Sequence, residues 1–156
     1  MRFEKIREEY DAPLAALIRR CLKGARLDIP GTAYYDPELD HLSRYYQQPG
    51  REYFLLLEDK KLIGGIGMAE YTDLPDCCEL QKLYLEDEYR GQGLGYRMME
   101  HLEHQAAKTG YRRVYLETHT SLQAAIHLYE KCGYKLIGQP AESIHGAMDR
   151  FYLKEL

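Results

Sequence analysis

Arg90-Gly91-Gln92-Gly93-Leu94-Gly95 follows an apolar strand-like run, Leu80 to Leu85, and opens a long helical pattern, Tyr96 to Lys108. The order is strand, glycine-rich turn, helix. Such a turn aims successive backbone N–H groups and a helix N-terminus at one point in space. An anion, phosphate above all, is the natural occupant. The chain has no G-x-x-x-x-G-K-[ST], which excludes a P-loop, and no G-x-G-x-x-G, which excludes the dinucleotide fingerprint. The turn also comes after four predicted strands rather than one, unlike a dinucleotide fold.

The elements can be read outward from that turn. Arg2 to Arg7 alternates as a first strand. Asp11 is placed to cap a helix starting at Pro13, with Leu14, Leu17, Ile18 and Cys21 as its apolar stripe. Gly24 to Pro37 reads as a loop or broken helix, and Pro37-Glu38 begins a short second helix ended by Pro49-Gly50. Strands follow at Tyr53 to Glu58, Leu62 to Tyr71 and Cys78 to Leu85. Gly64, Gly65 and Gly67 in the third strand signal a bulge or a close backbone approach. The long helix runs from about Gly93 to Lys108 with Gly110 as its C-cap. A fifth strand at Arg113 to Thr118, a helix at Ser121 to Lys131 ended by Gly133, and strands at Tyr134 to Gly138 and Asp149 to Leu153 complete the chain. Short turns make the early strands antiparallel. The helical crossover between the fourth and fifth makes that pair parallel. The expected fold is a mixed α/β sheet of seven strands flanked by about four helices.

With 156 residues the expectation is a single domain that needs no disulfide staple. The 25 acidic and 21 basic residues give a net charge of -4 with no basic block, which disfavours nucleic-acid binding. Cys21, Cys77, Cys78 and Cys132 contain no C-x-x-C, so they read as free thiols in a reducing compartment, with no metal site. In a strand, Cys77 and Cys78 point to opposite faces. No signal peptide or span-length apolar run is visible, and the expected location is cytoplasmic, off the membrane. Tyrosine is abundant, at 15 residues, and its apolar ring with a hydroxyl suits half-buried pockets.

The order of elements and Arg90-Gly91-Gln92-Gly93-Leu94-Gly95 resemble the GCN5-related N-acetyltransferase (GNAT) superfamily. Its pattern at this junction is Arg/Gln-x-x-Gly-x-Gly/Ala, matched by Arg90, Gly93 and Gly95. Ala125-Ile126-His127-Leu128-Tyr129-Glu130-Lys131-Cys132-Gly133-Tyr134 resembles the family's helix-to-strand segment Tyr-Glu-Lys-x-Gly-Phe/Tyr. The likeness covers residues 2 to 154 and is strongest from 79 to 138. It implies a single acyl-CoA N-acyltransferase domain over residues 1–156, with the fourth and fifth strands splayed.

The resemblance implies acetyl-CoA as cofactor. Its pyrophosphate would lie on the N–H groups of Gln92, Gly93, Leu94, Gly95 and Tyr96, within the Arg90 to Gly95 turn, where Gly91, Gly93 and Gly95 keep Cβ atoms away. The pantetheine arm would bond the backbone of Leu83 and Leu85. Tyr129 occupies the family's general-acid position, donating to the departing sulfur. The N–H of Leu83 is the implied oxyanion donor. Glu79 stands where several family members place a catalytic carboxylate; it reads as the base, as an ammonium anchor or as a solvated strand-edge carboxylate. In a regular strand Glu79, Gln81, Leu83 and Leu85 share a face, which a bulge would break. His119, His145 and water are other candidate bases. The family's Asn, seven residues before the helix tyrosine, is Leu122 here; Thr118, Ser121 or water is the candidate substitute.

Acceptor specificity in this fold implicates Gly24 to Tyr46 and Gln139 to Arg150. Tyr34, Tyr35, Asp36, Asp40, Tyr45 and Tyr46 make the first region acidic and aromatic, suited to a protonated amine. The expected activity is acetyl transfer from acetyl-CoA to a primary amine of a small molecule (amino acid, polyamine or related amine) by direct attack through a tetrahedral intermediate. The alternatives are a protein or peptide amine as acceptor, and a non-catalytic acyl-CoA-binding or regulatory module. A homodimer is common for this fold.

Overall fold

Alternation in the strand segments and a 3.6-residue period in the helical ones place eleven regular elements along the chain. The computed structural model describes residues 1–140 and 145–156. Its elements are β1 (Arg2–Lys5), α1 (Asp11–Gly24), α2 (Leu42–Tyr45), β2 (Glu52–Glu58), β3 (Lys61–Glu70), β4 (Cys77–Leu85), α3 (Leu94–Thr109), β5 (Arg113–Thr118), α4 (Gln123–Lys131), β6 (Lys135–Ile137) and β7 (Arg150–Glu155). The seven strands form one sheet in the order β1-β2-β3-β4-β5-β7-β6. Every neighbouring pair is antiparallel except β4 and β5.

One face of the sheet carries α3 and α4 over Ile63, Met68, Leu80 and Leu116. The other carries α1 and α2 over Tyr53, Leu55 and Leu57. Cys77 and Cys78 point to opposite faces, as a strand requires, and all four cysteines are free thiols. Among the described residues no helix is long and apolar enough to cross a membrane.

The parallel β4–β5 ladder is short: Cys77 pairs with Arg113, Cys78 with Val114 and Glu79 with Tyr115. Beyond that the strands separate, β4 following β3 to Leu85 and β5 following β7 to Thr118. The parting coincides with a bulge. Gly65 faces Tyr84 and Gly67 faces Gln81, so β4 spends one residue more than β3 over this step. Lys82 absorbs it with a left-handed φ of 50°. The bulge exchanges the faces of the strand. Cys78 and Leu80 point to the α3 side before it, Leu83 and Leu85 after it. Glu79 and Gln81 therefore do not share a face with Leu83 and Leu85, which corrects the regular-strand expectation.

A tyrosine strut holds the bulge. The buried ring of Tyr53 lies across β3, and its hydroxyl donates to the carbonyl of Lys82 at 2.8 Å. Gly65 and Gly67 leave room for that ring. A Cβ on Gly67 would sit 2.5 Å from Tyr53 Cδ2, and one on Gly65 would lie closer still to Tyr53 Cε1.

Three local expectations change. Asp11 lies inside the first turn of α1 rather than capping it, and its buried carboxylate accepts from the Ser43 N–H at 2.8 Å and hydroxyl at 2.7 Å. It thus satisfies an orphan donor at the start of α2. The second helix is broken at His41, with φ -139° and ψ 43°, into a 3₁₀ turn at Leu39–His41 and the short α2. The fourth helix begins at Gln123, because Leu122 takes a non-helical φ of -88° and ψ of 62°.

Candidate active site

The split between β4 and β5 opens a cleft of about 580 Å³ that passes through the sheet. Its walls are β4 from Glu79 to Leu85, the glycine turn, the start of α3, the end of β5, α4 and the segment at His145. Tyr129 and the glycine turn approach from the α3–α4 side. Glu79 and Gln81 approach from the opposite side, where Gln81 meets Tyr46 of the α1–α2 core.

At the cofactor end, Gly91 and Gly93 have φ of 74° and 76°, a region L side chains rarely adopt. A Cβ built on either meets nothing within 4 Å, so the turn presents an open backbone surface. Gly93 is the N-cap of α3, leaving the first-turn N–H groups of Leu94, Gly95 and Tyr96 without intrahelical acceptors. This cradle fits a pyrophosphate by its open backbone donors and by dipole. Gly95 is small for another reason: its Cβ would sit 3.1 Å from Leu128 Cδ2, so it lets α3 approach α4. The Gln92 side chain turns away and donates to the Glu88 carbonyl at 3.1 Å, leaving its backbone to the turn. Arg90 lines the cleft and pairs with Asp87 at 3.1 Å. Leu94 is buried, whereas Tyr96 is exposed at the mouth.

Leu83 and Leu85 lie on the stretch of β4 that has parted from β5, so their backbone faces the opening. Tyr129 is buried in α4 and lines the same opening. Burial raises its phenol well above the ordinary value, keeping it protonated. Ser121 also lines the cleft, and its hydroxyl lies 2.7 Å from His119 Nδ1. His119 itself is outside the cleft lining. Leu122 packs against the α1–α2 core and lines the cleft with an apolar side chain.

At the other end Glu79 is 7% exposed. Its Oε1 accepts from Gln81 Nε2 at 2.6 Å, and Tyr46 donates to Gln81 Oε1 at 2.9 Å. Burial raises its pKa, the Glu117 charge adds to the rise, and Gln81, His145 and Lys82 oppose it. Glu117 accepts from the Tyr115 hydroxyl at 2.9 Å and from the His145 N–H at 3.4 Å. Asp36 is held by Lys82 Nζ and His145 Nε2, each at 2.8 Å. Burial, the largest single influence on Asp36, pushes its pKa up. The bonds from His145 and Lys82 outweigh it, and the net pKa is lowered.

Of the acidic and aromatic residues expected at the acceptor, Asp36 and Tyr46 reach this network. Asp40 instead pairs with Arg19 at 2.7 Å, Tyr35 is exposed, and Tyr45 lies under the Arg51 guanidinium. Lys82, Gln81 and Glu117 carry the network without having been singled out from the sequence. Gln81-Lys82 did leave a signal, since two successive polar residues break the alternation of β4. Part of the expected acceptor segment, residues 141–144, lies outside the described residues.

Residues 16–134 match the Acetyltransferase (GNAT) family. The Escherichia coli (strain K12) "Uncharacterized N-acetyltransferase YjgM" is 40% identical over 108 residues, covering 69% of this chain and 65% of that relative. The chain thus spans just under two thirds of that relative's length. Among solved structures, an acetyltransferase of GNAT family from Staphylococcus aureus Mu50 superposes with a TM-score of 0.87 at 18% identity, covering 99% of this chain and 98% of that one. The PaiA N-acetyltransferase of Thermoplasma acidophilum, solved in complex with coenzyme A, superposes at 0.77 with 20% identity over the whole of both chains. The architecture of this chain is a single α/β domain whose sheet parts at β4 and β5. The chain belongs to the GNAT acetyltransferase family.

Proposed function

We propose that this chain is an acetyl-CoA-dependent N-acetyltransferase acting on a primary amine of a small, cationic molecule. The observation that carries the reading is the two-ended cleft. An open cradle of N–H groups and a protonated phenol stand on one side of the sheet, and carboxylates stand on the other. A fold relative holding coenzyme A supports the first half of this assignment.

The backbone of the Gly91–Tyr96 turn would hold the pyrophosphate, and β4 at Leu83 and Leu85 the pantetheine arm. Acetyl-CoA supplies an activated acyl group whose C–S bond breaks as the C–N bond forms. Glu79 takes the proton that the attacking nitrogen loses; a raised pKa suits a carboxylate to this task near neutrality. The N–H of Leu83 donates to the developing oxyanion. The Tyr129 hydroxyl supplies a proton to the departing sulfur. Glu79 and Glu117 together favour an ammonium-bearing acceptor over an acidic one. The four free thiols fit work in a reducing cytoplasm.

Calorimetric titration with acetyl-CoA, followed by thiol release with pooled small amines on the same sample, tests the proposal. Binding with release from a diamine or amino-acid pool supports it. Binding without release from any amine pool favours a non-catalytic acyl-CoA-binding module, and release only with peptide amines moves the acceptor to a protein. No binding by folded protein refutes the proposal.

A further inference from the structure

Glu79 is not simply a buried carboxylate. Its Oε1 takes a hydrogen bond from Gln81, and Gln81 is itself gripped by Tyr46. With Glu79 ionised, donor and acceptor chemistry fixes the direction of this chain. An ionised carboxylate can only accept, so the Gln81 atom facing it is the amide nitrogen. The amide oxygen then faces Tyr46, and the phenol must donate. Burial holds the Tyr46 phenol protonated, so the donor persists at working pH. Among the described residues Glu79 Oε2 takes no such bond, and the residue lines the cleft.

We propose that Gln81, braced by Tyr46, is a positioning residue that locks the Glu79 carboxylate by Oε1 and presents Oε2 to the acceptor amine. The inference rests on the reading of Glu79 as the proton acceptor. The fold makes the relay possible at three points. The bulge comes after Gln81, at Lys82, so Glu79 and Gln81 remain on one face. Their spacing of two along β4 places the side chains side by side. Gly67 leaves room for the Tyr46 hydroxyl, since a Cβ there would sit 2.9 Å from it.

The relay also favours the ionised form of Glu79. Burial and the Glu117 carboxylate press it toward the neutral acid. The Gln81 amide is the largest influence opposing them, ahead of His145 and Lys82. The other groups packed around it from neighbouring elements are Tyr46 just after α2, Tyr71 beyond β3 and Tyr115 from β5; Asp36 is bonded to Lys82 and His145. No cation touches Glu79 directly among these, so the neutral Gln81 amide is the contact group that favours its carboxylate form, with His145 and Lys82 acting from further away.

The test is a pH titration of the Glu79 carboxyl carbon by NMR in protein labelled with ¹³C at glutamate side chains. Glu79→Gln assigns the resonance. In Gln81→Leu the donor is lost while the site stays dry, and the Glu79 midpoint moves to higher pH. A purely structural role predicts the opposite sign, because a loosened site admits water and lowers the midpoint. An unchanged or lowered midpoint in folded Gln81→Leu therefore overturns the proposal. Should that variant fail to fold, Tyr46→Phe keeps the ring and removes only the brace; a rise in the midpoint supports the relay and no rise overturns it. The titration needs no acceptor, so its outcome is separate from the amine screen that tests acetyl transfer.

Discussion

Tyr129 and Gly93 show how much single residues are asked to do. The Tyr129 phenol is buried and its pKa is raised by burial, so its proton stays in place across the neutral and mildly alkaline range. Tyr129→Phe should lower kcat by about 10²-fold, the lower end of general-acid contributions, while acetyl-CoA affinity measured by calorimetry stays nearly unchanged. Equal kcat in the variant, with chemistry rate-limiting, removes Tyr129 from the acid role. Gly93 raises a different question, because its φ of 76° strains any side chain. Gly93→Asn and Gly93→Asp have almost the same shape, and Asn and Asp both visit the left-handed region. Both variants should fold alike, yet only Asp should abolish acetyl-CoA binding, by setting a carboxylate against the pyrophosphate. Retained binding in Gly93→Asp denies the turn its phosphate. Both residues were singled out in the sequence because each sits in a short fixed motif. Lys82 and Glu117 were not, because their importance comes from a bulge and a cross-strand encounter that no local pattern states.

The long elements were readable from periodicity alone, since burying one face of a strand or helix leaves a trace every second or every third to fourth residue. The failures are at irregularities. His41 breaks a helix that composition would continue, and the bulge at Lys82 swaps the faces of β4. The glycines of β3 announced a close approach but not its partner, which is Tyr53. That pairing is testable. Gly65→Ala would drive a methyl into a buried ring already fixed at its hydroxyl, so it should destabilise the fold by about 1–3 kcal/mol, the cost of overpacking a dense core, read as a lower denaturation midpoint. An unaffected midpoint would mean that the ring can move and is no strut. In α3 the His101 ring stacks on Phe3 at 4.1 Å, its Nε2 is buried with no hydrogen-bond partner among the described residues, and burial, with His104 adding to it, lowers its pKa. Above about pH 6.5, the unperturbed value, folded and unfolded chains both hold it neutral. Below that, the unfolded chain binds a proton that the folded chain resists, so stability falls as the pH drops toward the depressed folded value. His101→Phe should remove that part of the slope in denaturation midpoints measured from pH 7.5 to 5. An identical slope in the variant assigns the acid sensitivity elsewhere.

At the scale of the molecule, the cleft that makes a site also weakens the sheet. Only three residue pairs join β4 to β5, and the strands then part. Across the Glu79 end of the cleft the two sides are tied again by Asp36, which reaches Lys82 in β4 and His145 before β7. Gly31 adds a second tie, its carbonyl accepting from the Ala147 N–H at 3.1 Å. The Lys82 and Asp36 side chains are 5% and 11% exposed, so their pair is shielded from solvent and its loss is not softened by water. Asp36→Leu should leave the Lys82 ammonium buried without its carboxylate and cost about 3–5 kcal/mol. Lys82→Met should cost a similar amount, whereas the double variant Asp36→Leu/Lys82→Met should recover most of it, because an apolar pair satisfies the same space. The sign of the pH dependence follows from the lowered Asp36 pKa. Its contribution is present above the unfolded carboxyl value, near 3.9, and is lost as the pH falls through the folded value. Wild-type stability should therefore carry an acid-side loss that the double variant lacks. If the amine enters at this end, as proposed, the double variant should raise KM for the amine while the acetyl-CoA dissociation constant, assigned by the same proposal to the glycine turn, stays where it was. Additive single-variant costs in the double, or an acetyl-CoA affinity that falls with the amine's, would show that Asp36 and Lys82 act separately and that the two ends of the cleft are not independent.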